Sequence, residues 1–583
     1  MTRIAVIQKS RCNPLGCGDL CIKLCPVNRT GKECITKAEE KARIDEALCT
    51  GCGICSNRCP YEAISIINLP QELNKEPIHK YGENGFHLFN LPVPIFGKVV
   101  GIIGRNGIGK STCLKILAGL LKPNLGNLQK EATNQELISY FKGTEAQNFF
   151  EKAKRNEIRV SYKPQQVDLI AKTQTGKVRN LLAKIDEKKE LDQIAERLEI
   201  KKILDHEIND ISGGELQRVA IAATVLKKAN VYFFDEPTSY LDIKQRLRVS
   251  QFIRELADEK TAVVVVEHDL IILDYMTELV HLMYGKSGAY GIVSMPKSTK
   301  AGINTYLSGY LKEENIRFRD NAIAFDEKPP SKLARKEVLT SWQKISKKLG
   351  SFVLKAETGQ LHKHEVAGVL GANGIGKTSF VRILAKETKP DSGVMEENLR
   401  VSNKPQYLSA ESEELVATIM KDAAEKYEVQ LIRPLELKHV MLNKISELSG
   451  GELQRVAIAL CLSKDADLYL LDEPAAYLDV EQRLIASRVI KSMMEQKGKT
   501  ALVVDHDLLF VDYLSDSLLV FEGIPAESGT ASGPFAMENG MNKFLSDLGI
   551  TMRRDLENHR PRVNKPGSQK DQEQKREGKL YYS

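Results

Sequence analysis

Two stretches place glycines, a lysine and a hydroxyl at one spacing: Gly104-Arg-Asn106-Gly107-Ile-Gly109-Lys110-Ser111 and Gly371-Ala-Asn373-Gly374-Ile-Gly376-Lys377-Thr378. Glycines so arranged let backbone N–H groups close on phosphate oxygens. The lysine reaches the terminal phosphates, and Ser111 or Thr378 can ligate Mg²⁺. Thr112 and Ser379, the next residues, are candidates for the same nucleotide contacts. Downstream, each copy carries a Ser-Gly-Gly-Glu run: Ser212, Gly213, Gly214 and Glu215, then Ser449, Gly450, Gly451 and Glu452. An apolar run then ends in Asp235-Glu236 or Asp472-Glu473, followed by Asp242 or Asp479 and by His268 or His506. An aspartate at a strand end suits a Mg²⁺ contact, and the adjacent glutamate can polarise an attacking water. The chemistry these residues describe, twice over, is nucleoside triphosphate hydrolysis.

A second chemistry sits at the start of the chain. Nine of eleven cysteines lie within the first 59 residues, the others being Cys113 and Cys461. Cys49, Cys52, Cys55 and Cys59-Pro60 follow the C-x2-C-x2-C-x3-C-P spacing of bacterial-type ferredoxins, and Cys12, Cys17, Cys21 and Cys25-Pro26 form a looser run. In such pairs the fourth cysteine of one run serves the other cluster. The expected [4Fe-4S] sets are therefore Cys12, Cys17, Cys21 and Cys59, and Cys25, Cys49, Cys52 and Cys55. Cys34 falls outside both runs and is not counted as a ligand. A zinc-binding head is the alternative reading, although zinc sites more often use separated C-x2-C pairs.

The elements that must hold these groups are legible as repeats. Each phosphate loop follows an apolar strand (KVVGII, EVAGVL) and opens a helix (STCLKILAG, TSFVRILA). Serine to aspartate spans 23 positions in both copies, Ser212 to Asp235 and Ser449 to Asp472. About 26 more residues separate Lys110 from Gln165 than Lys377 from Gln406, and they fall in a stretch of helical periodicity around Lys142-Gly143. This predicts a helix–loop–helix insertion at about 131–156. A second repeat, INTYLSGYL from Ile303 and MNKFLSDL from Met541, lies 35 residues beyond each histidine and precedes a basic cluster. From Arg553 the chain has nine Lys/Arg against five Asp/Glu and is rich in Pro, Gly and Gln, which reads as a tail with little structure of its own.

At 583 residues the chain exceeds one core, and 42% apolar with 28% charged residues is ordinary globular composition. No run approaches the roughly 18 apolar residues of a membrane helix, and the N-terminus lacks a signal-peptide core, so a cytoplasmic location is expected. The formal charge of +7 permits a phosphate-rich partner without demanding one.

The ordered set of motifs resembles that of ABC-type ATPase cassettes over most of residues 75–525. The resemblance implies head-to-tail pairing, with Ser449 facing the nucleotide on Lys110 and Ser212 the nucleotide on Lys377. Gln165 and Gln406, each in a Lys-Pro-Gln triplet, match the family's Q-loop and its Mg²⁺ contact. Glu236 and Glu473 match the catalytic base, and His268 and His506 the switch histidine. Both sites retain every motif residue and are expected to hydrolyse ATP. Adenine stacking is expected from Tyr81 and Phe86 in the first cassette and Phe352 in the second, with burial in the core as the other reading of each.

Over its full length the chain resembles the archaeal and eukaryotic ribosome recycling factors, the RNase L inhibitor family. YGENGFHLFNLPVPIFGKVVGIIGRNGIGKST and GITMRRD followed by RPRVNKPGSQKDQEQK carry much of that likeness; Leu349 departs from it, standing where the family has a tyrosine. The implied fold class is α/β: two ABC-type P-loop nucleotide-binding domains in tandem plus a small α+β ferredoxin-like iron–sulfur domain. The implied boundaries are 1–72 for the head, 73–295 and 331–525 for the cassettes, 296–330 for a first hinge, and 526–583 for a second hinge with the basic tail. The resemblance further implies an ATP-driven splitting of ribosomes by a monomer whose cassettes pair within the chain. Its partners would be the small subunit and its rRNA, a release factor or its stalled-ribosome relative, and initiation factors, with no membrane. Cofactors would be two [4Fe-4S] clusters, ATP and Mg²⁺. The competing classes are a transporter subunit, disfavoured by the absence of membrane spans, and an iron–sulfur electron-transfer ATPase, which leaves the paired signatures unexplained.

Overall fold

Short apolar runs ending in charge become buried parallel strands here, because only a strand covered on both faces can be apolar throughout. The computed structural model describes residues 3–38, 40–68, 76–323, 325, 337–395, 399–404 and 412–581. They fall into two compact units: Met1–Pro237 with Phe252–His268 and Thr277–Asn321, and Thr238–Gln251 with Asp269–Met276 and Ala322–Ser583. The division is not the contiguous one the sequence suggests, since two short pieces of the first cassette's sequence belong to the second unit.

In the first unit, Val99–Ile103 is the central strand, lying parallel between Ala262–Val266 and Leu279–Lys286. Val231–Asp235 and then Val160–Lys163 continue the parallel sheet beyond Ala262–Val266. His87–Phe89 and His79–Lys80 form an antiparallel pair at the other end. The expected insertion region folds as two helices, Asn134–Tyr140 and Glu145–Lys154, the first closed by a Thr133–Glu136 capping box. Phe141 stacks on Phe150 at 5.5 Å, and both belong to the core of this cassette.

The cysteine-rich head is also in this unit. Arg3–Ile7 pairs antiparallel with Ile64–Asn68, Ile35–Ala38 pairs with Lys41–Ile44, and short helices carry the cysteines between them. Asn84, on the loop between His79–Lys80 and His87–Phe89, is 4% exposed and joins head to cassette. Its Nδ2 donates to the carbonyls of Ala5 and Ile44, and its Oδ1 accepts from the Ile44 amide.

The second unit repeats the plan. Val366–Leu370 lies parallel between Thr500–Val504 and Ser517–Ile524, with Leu468–Asp472 and Val401–Lys404 beyond. Ser517–Ile524 and Ser528–Ala536 form one antiparallel hairpin, so the boundary at 525/526 suggested by the sequence divides a single element. The repeats outside the cassettes also match in form. The helix Thr299–Ser308 ends at left-handed Gly309 before the hairpin of Tyr310–Leu311 with Ile316–Arg317. Likewise Met537–Leu548 ends at left-handed Gly549 before Met552–Arg554 with Pro561–Val563.

The tail corrects the sequence reading. Instead of an unstructured basic segment, residues 553–581 contain a strand and a capped helix, Gln569–Glu577. Composition misleads here because the charges are used internally. Arg560 is fully buried and its guanidinium reaches Asp274 at 3.2 Å, while Arg562 bonds Asp274 at 2.6 Å and Asp555 at 3.1 Å. Thr551 donates to Asp571, and the Tyr581 hydroxyl donates to Asp512.

Candidate functional site

Each phosphate loop is set by its strand and its glycines. Gly109 and Gly376 cap the following helices at φ 93° and 91°, a left-handed conformation that L side chains rarely adopt. Both leave the helix N–H groups of Lys110–Leu117 and Lys377–Leu384 facing the loop. Lys110 and Lys377 are nearly buried and turn back on their own loops. Their Nζ atoms donate to the carbonyls of Gly104 and Arg105 at 2.9 and 2.7 Å, and of Gly371 and Ala372 at 2.9 and 2.6 Å.

Two strand-end carboxylates lie against these loops. Asp235 and Asp472, 1% and 2% exposed, end strands in which every residue is buried. The Thr378 hydroxyl donates to Asp472 at 2.7 Å, and the Tyr162 hydroxyl donates to Asp235 at 3.3 Å, with Ser111 beside that carboxylate. In each aspartate the other oxygen, Oδ1, is buried without a hydrogen-bond partner. Burial pushes both carboxyls above the usual range. Two orphaned, desolvated oxygens beside a hydroxyl form a donor set that fits a Mg²⁺ ion.

Glu236 and Glu473 follow in the left-handed region, at φ 48° and 47°. Their orientation is fixed from several sides. Gln165 Nε2 donates to Glu236 Oε1 at 2.7 Å. His268 Nε2 stands 3.3 Å from that oxygen, and His506 Nε2 stands 3.7 Å from Glu473 Oε1, neither in hydrogen-bonding geometry. Burial, with the Lys377 and Arg246 charges, holds His506 neutral. Burial first, then Asp505 and Asp472, raises Glu473 to about 7. Gln406 lies outside the described residues.

Ser212 and Ser449 are the N-caps of Gly213–Val225 and Gly450–Ser463, each in a capping box with Glu215 or Glu452. Gly213, Gly214, Gly450 and Gly451 thus form first turns with free N–H groups, an anion-binding arrangement. Asp242 and Asp479 cap the next helices through the Gln245 and Gln482 amides at 2.9 Å. Within the second unit Asp242 also accepts from the backbone N–H of Asn373 at 2.9 Å, so it contacts the phosphate loop itself.

The three aromatics divide. Phe86 and Phe352 press their rings against Gly109 and Gly376, where an added Cβ would sit 2.9 and 3.0 Å away. Both also pack against core clusters. Tyr81 is 45% exposed, with its hydroxyl 3.3 Å from Thr112 Oγ1. Leu349 pairs across its strand with Phe352 and is 39% exposed.

In the head, Cys25, Cys49, Cys52 and Cys55 line one pocket. The thiols acting on Cys21 are Cys17, Cys12 and Cys59, which groups the other four. Burial and these neighbours push Cys21 to about 12 and Cys55 to about 11. Buried, crowded thiols suit iron–sulfur ligation, where positive iron offsets the thiolate charge. Cys34, set aside on spacing, is buried and lines the same pocket as Cys25 and Cys49. No spacing rule would have placed it there. Sequence reasoning also missed Gln217 and Gln454, buried signature-helix residues whose Nε2 atoms donate to the carbonyls of Glu236 and Glu473 at 2.7 and 2.6 Å.

Comparison with known proteins agrees with this geometry. The ABC transporter family model matches residues 95–239 and 354–476, the 4Fe-4S binding domain residues 42–65, and the possible Fer4-like domain of RNase L inhibitor residues 2–33. An uncharacterised ABC transporter ATP-binding protein of Methanocaldococcus jannaschii is 51% identical, covering 100% of this chain and 97% of its own length. A ribosome-bound assembly of archaeal Pelota and ABCE1 contains a chain 51% identical with TM-score 0.93, over 100% of this chain and 99% of that one. The archaeal ribosome recycling factor aABCE1, crystallised with ribosomal stalk protein aP1, is 50% identical with TM-score 0.84, over 88% and 100%. With a cysteine head, two ABC-type cassettes and duplicated helix–hairpin units in one order, this chain belongs to the ABCE1, or RNase L inhibitor, family of ABC ATPases that bind iron–sulfur clusters.

Proposed function

We propose that this ATPase splits ribosomes into subunits after termination or stalling. The observation that carries the reading is the joining of two hydrolytic sites to an iron–sulfur head anchored on the first cassette through Asn84. Its likeness to the ribosome-bound ABCE1 and to the recycling factor supplies the partner. Each ATP would lie between the phosphate loop of one cassette and the Ser-Gly-Gly-Glu turn of the other. Closure at both would swing the head against the ribosome, with help from a release factor or its Pelota-like relative. Closure can do work on a partner only if open and closed states contact it differently, which a rigid head provides. Cys12, Cys17, Cys21 and Cys59 would hold one [4Fe-4S] cluster and Cys25, Cys49, Cys52 and Cys55 a second, both structural.

In hydrolysis Lys110 and Lys377 would exchange loop carbonyls for phosphate oxygens. Mg²⁺ supplies charge neutralisation at the phosphates and would be held by Ser111, Asp235 and Gln165, and by Thr378, Asp472 and Gln406. Glu236 and Glu473 orient the attacking water, and His268 and His506 stand beside their carboxylates to contact the transferred phosphate. Small-subunit rRNA and initiation factors complete the proposed partners of a cytoplasmic monomer. Among the described residues no helix is long and apolar enough to cross a membrane.

The test is a sucrose gradient of ribosomes with the full chain, release factor and ATP. Free subunits are expected. The Glu236→Gln/Glu473→Gln double variant should lose about 100-fold or more in turnover while staying bound to the small subunit. Ribosomes that remain joined, with ATP-dependent reduction of an electron acceptor instead, would replace this reading by electron transfer.

A further inference from the structure

Two buried lysines take no part in the chemistry described so far. Lys163 and Lys404 are 0% and 1% exposed, a rare state for lysine. Each ends the strand beside the one that delivers the Asp-Glu pair: Lys163 stands opposite Phe234 and Lys404 opposite Leu471. Lys163 Nζ donates to the backbone carbonyls of Asp235 at 3.0 Å and Glu236 at 3.2 Å. Lys404 Nζ donates to the carbonyl of Asp472 at 2.7 Å. The carboxylates nearest in charge are Asp235, Glu236 and Glu267 in one copy and Asp472, Asp505 and Glu473 in the other.

Burying an ammonium is costly unless its surroundings compensate. A site that keeps such a group in both copies has a use for its geometry. That use is visible in the next residue. Glu236 and Glu473 hold φ of 48° and 47°, a strained conformation for a residue with a Cβ, which persists only where neighbours over-determine it. The Glu236 amide donates to Val266 O, and its carbonyl accepts from Gln217 and Lys163. The Glu473 amide donates to Val504 O and its carbonyl accepts from Gln454, while Lys404 holds the preceding carbonyl. In the first cassette the three-residue run Lys163-Pro164-Gln165 therefore grips the glutamate at both ends, the lysine on its main chain and the glutamine on its carboxylate.

We propose that Lys163 and Lys404 are positioning residues for ATP hydrolysis: each ammonium locks the backbone turn that aims the catalytic glutamate at the attacking water. They act through backbone carbonyls, coupling the Q-loop segment to the glutamate mechanically. The inference rests on the ATPase assignment and is independent of the ribosomal reading, so a failure of ribosome splitting would leave it standing.

The experiment replaces both in the full chain, Lys163→Met/Lys404→Met, keeping side-chain length while removing the donors. Phosphate release, fluorescent ATP-analogue binding with and without Mg²⁺, and thermal melting are measured on the same samples. The expected result is a fall in kcat of about tenfold or more, with analogue affinity changed less than about twofold and a cooperative melt retained. Added to Glu236→Gln/Glu473→Gln, the same substitutions should leave residual turnover and analogue affinity unchanged, because residues acting through one group are non-additive. An unchanged kcat, or a fall matched by lost analogue affinity in folded protein, would overturn the proposal. So would a further drop in turnover in the glutamine background. If the methionine variant does not fold, Lys163→Gln/Lys404→Gln keeps one donor at each site. It should give an intermediate kcat with intact binding, and equality with the parent would likewise overturn it.

Discussion

Position decides what a side chain of a given type does here. Lys110 and Lys377 donate to carbonyls of their own phosphate loops, whereas the more deeply buried Lys163 and Lys404 hold carbonyls of the Asp-Glu strands. Histidines divide similarly. His268 and His506 face Glu236 and Glu473, while His87 is 3% exposed, stacked near Phe89 at 6.5 Å. Burial first, then the nearby Lys80 charge against an opposing Glu46, lowers His87 to about 4 from 6.5. The native state therefore binds fewer protons than the unfolded chain between those values, so this residue's contribution is complete above pH 6.5 and is lost as pH falls towards 4. Melting temperature should fall less steeply between pH 6.5 and 4.5 in His87→Phe than in the parent. Parallel curves would refute the linkage.

Among the elements, the loop from Tyr81 to Phe86 joins two tasks. Tyr81 lies beside the P-loop helix, and three residues later Asn84 enters the head at φ 53°. Its side chain satisfies two carbonyls and one amide, so Asn84→Ala leaves buried groups unpaired at about 1–3 kcal/mol. Amide exchange at Ile44 should accelerate in that variant while nucleotide binding by the cassettes persists. Unchanged protection at Ile44 would mean that Asn84 does not anchor the head. The signature turns teach a related lesson: Ser-Gly-Gly-Glu is legible in sequence both as a capping box and as a nucleotide contact, and the described geometry has the serine in the cap.

For the molecule as a whole, the C-terminal segment is a folded clamp. Arg560 and Arg562 meet on Asp274, from the helix Leu270–Met276 that begins two residues after His268, so the tail holds that helix. Asp274→Ala would take the shared carboxylate from buried Arg560 and half-buried Arg562, and breaking a buried pair costs about 3–5 kcal/mol. Denaturant midpoints should shift accordingly, and nucleotide turnover should drop with the loss of the clamp. A midpoint within error of the parent would show that the cluster contributes nothing to stability.

Most of the residues gathered around the two phosphate loops were readable from order and spacing. Glycine, lysine, serine and acidic residues at fixed offsets have few uses besides phosphate chemistry, and the exact repetition of the 23-residue offset left little room for chance. Cysteine spacing was equally informative, since thiols two residues apart can turn onto one cluster. What only the tertiary structure decided depends on contacts distant in sequence. Cys34 reaches the pocket of Cys25 and Cys49 by the pairing of two short strands. The basic tail folds because Asp274, some 280 residues earlier, supplies the counter-charge that composition cannot reveal. Lys163 and Lys404 look like ordinary surface lysines in the sequence. Their burial follows from the register of a neighbouring strand, which local residue patterns do not encode.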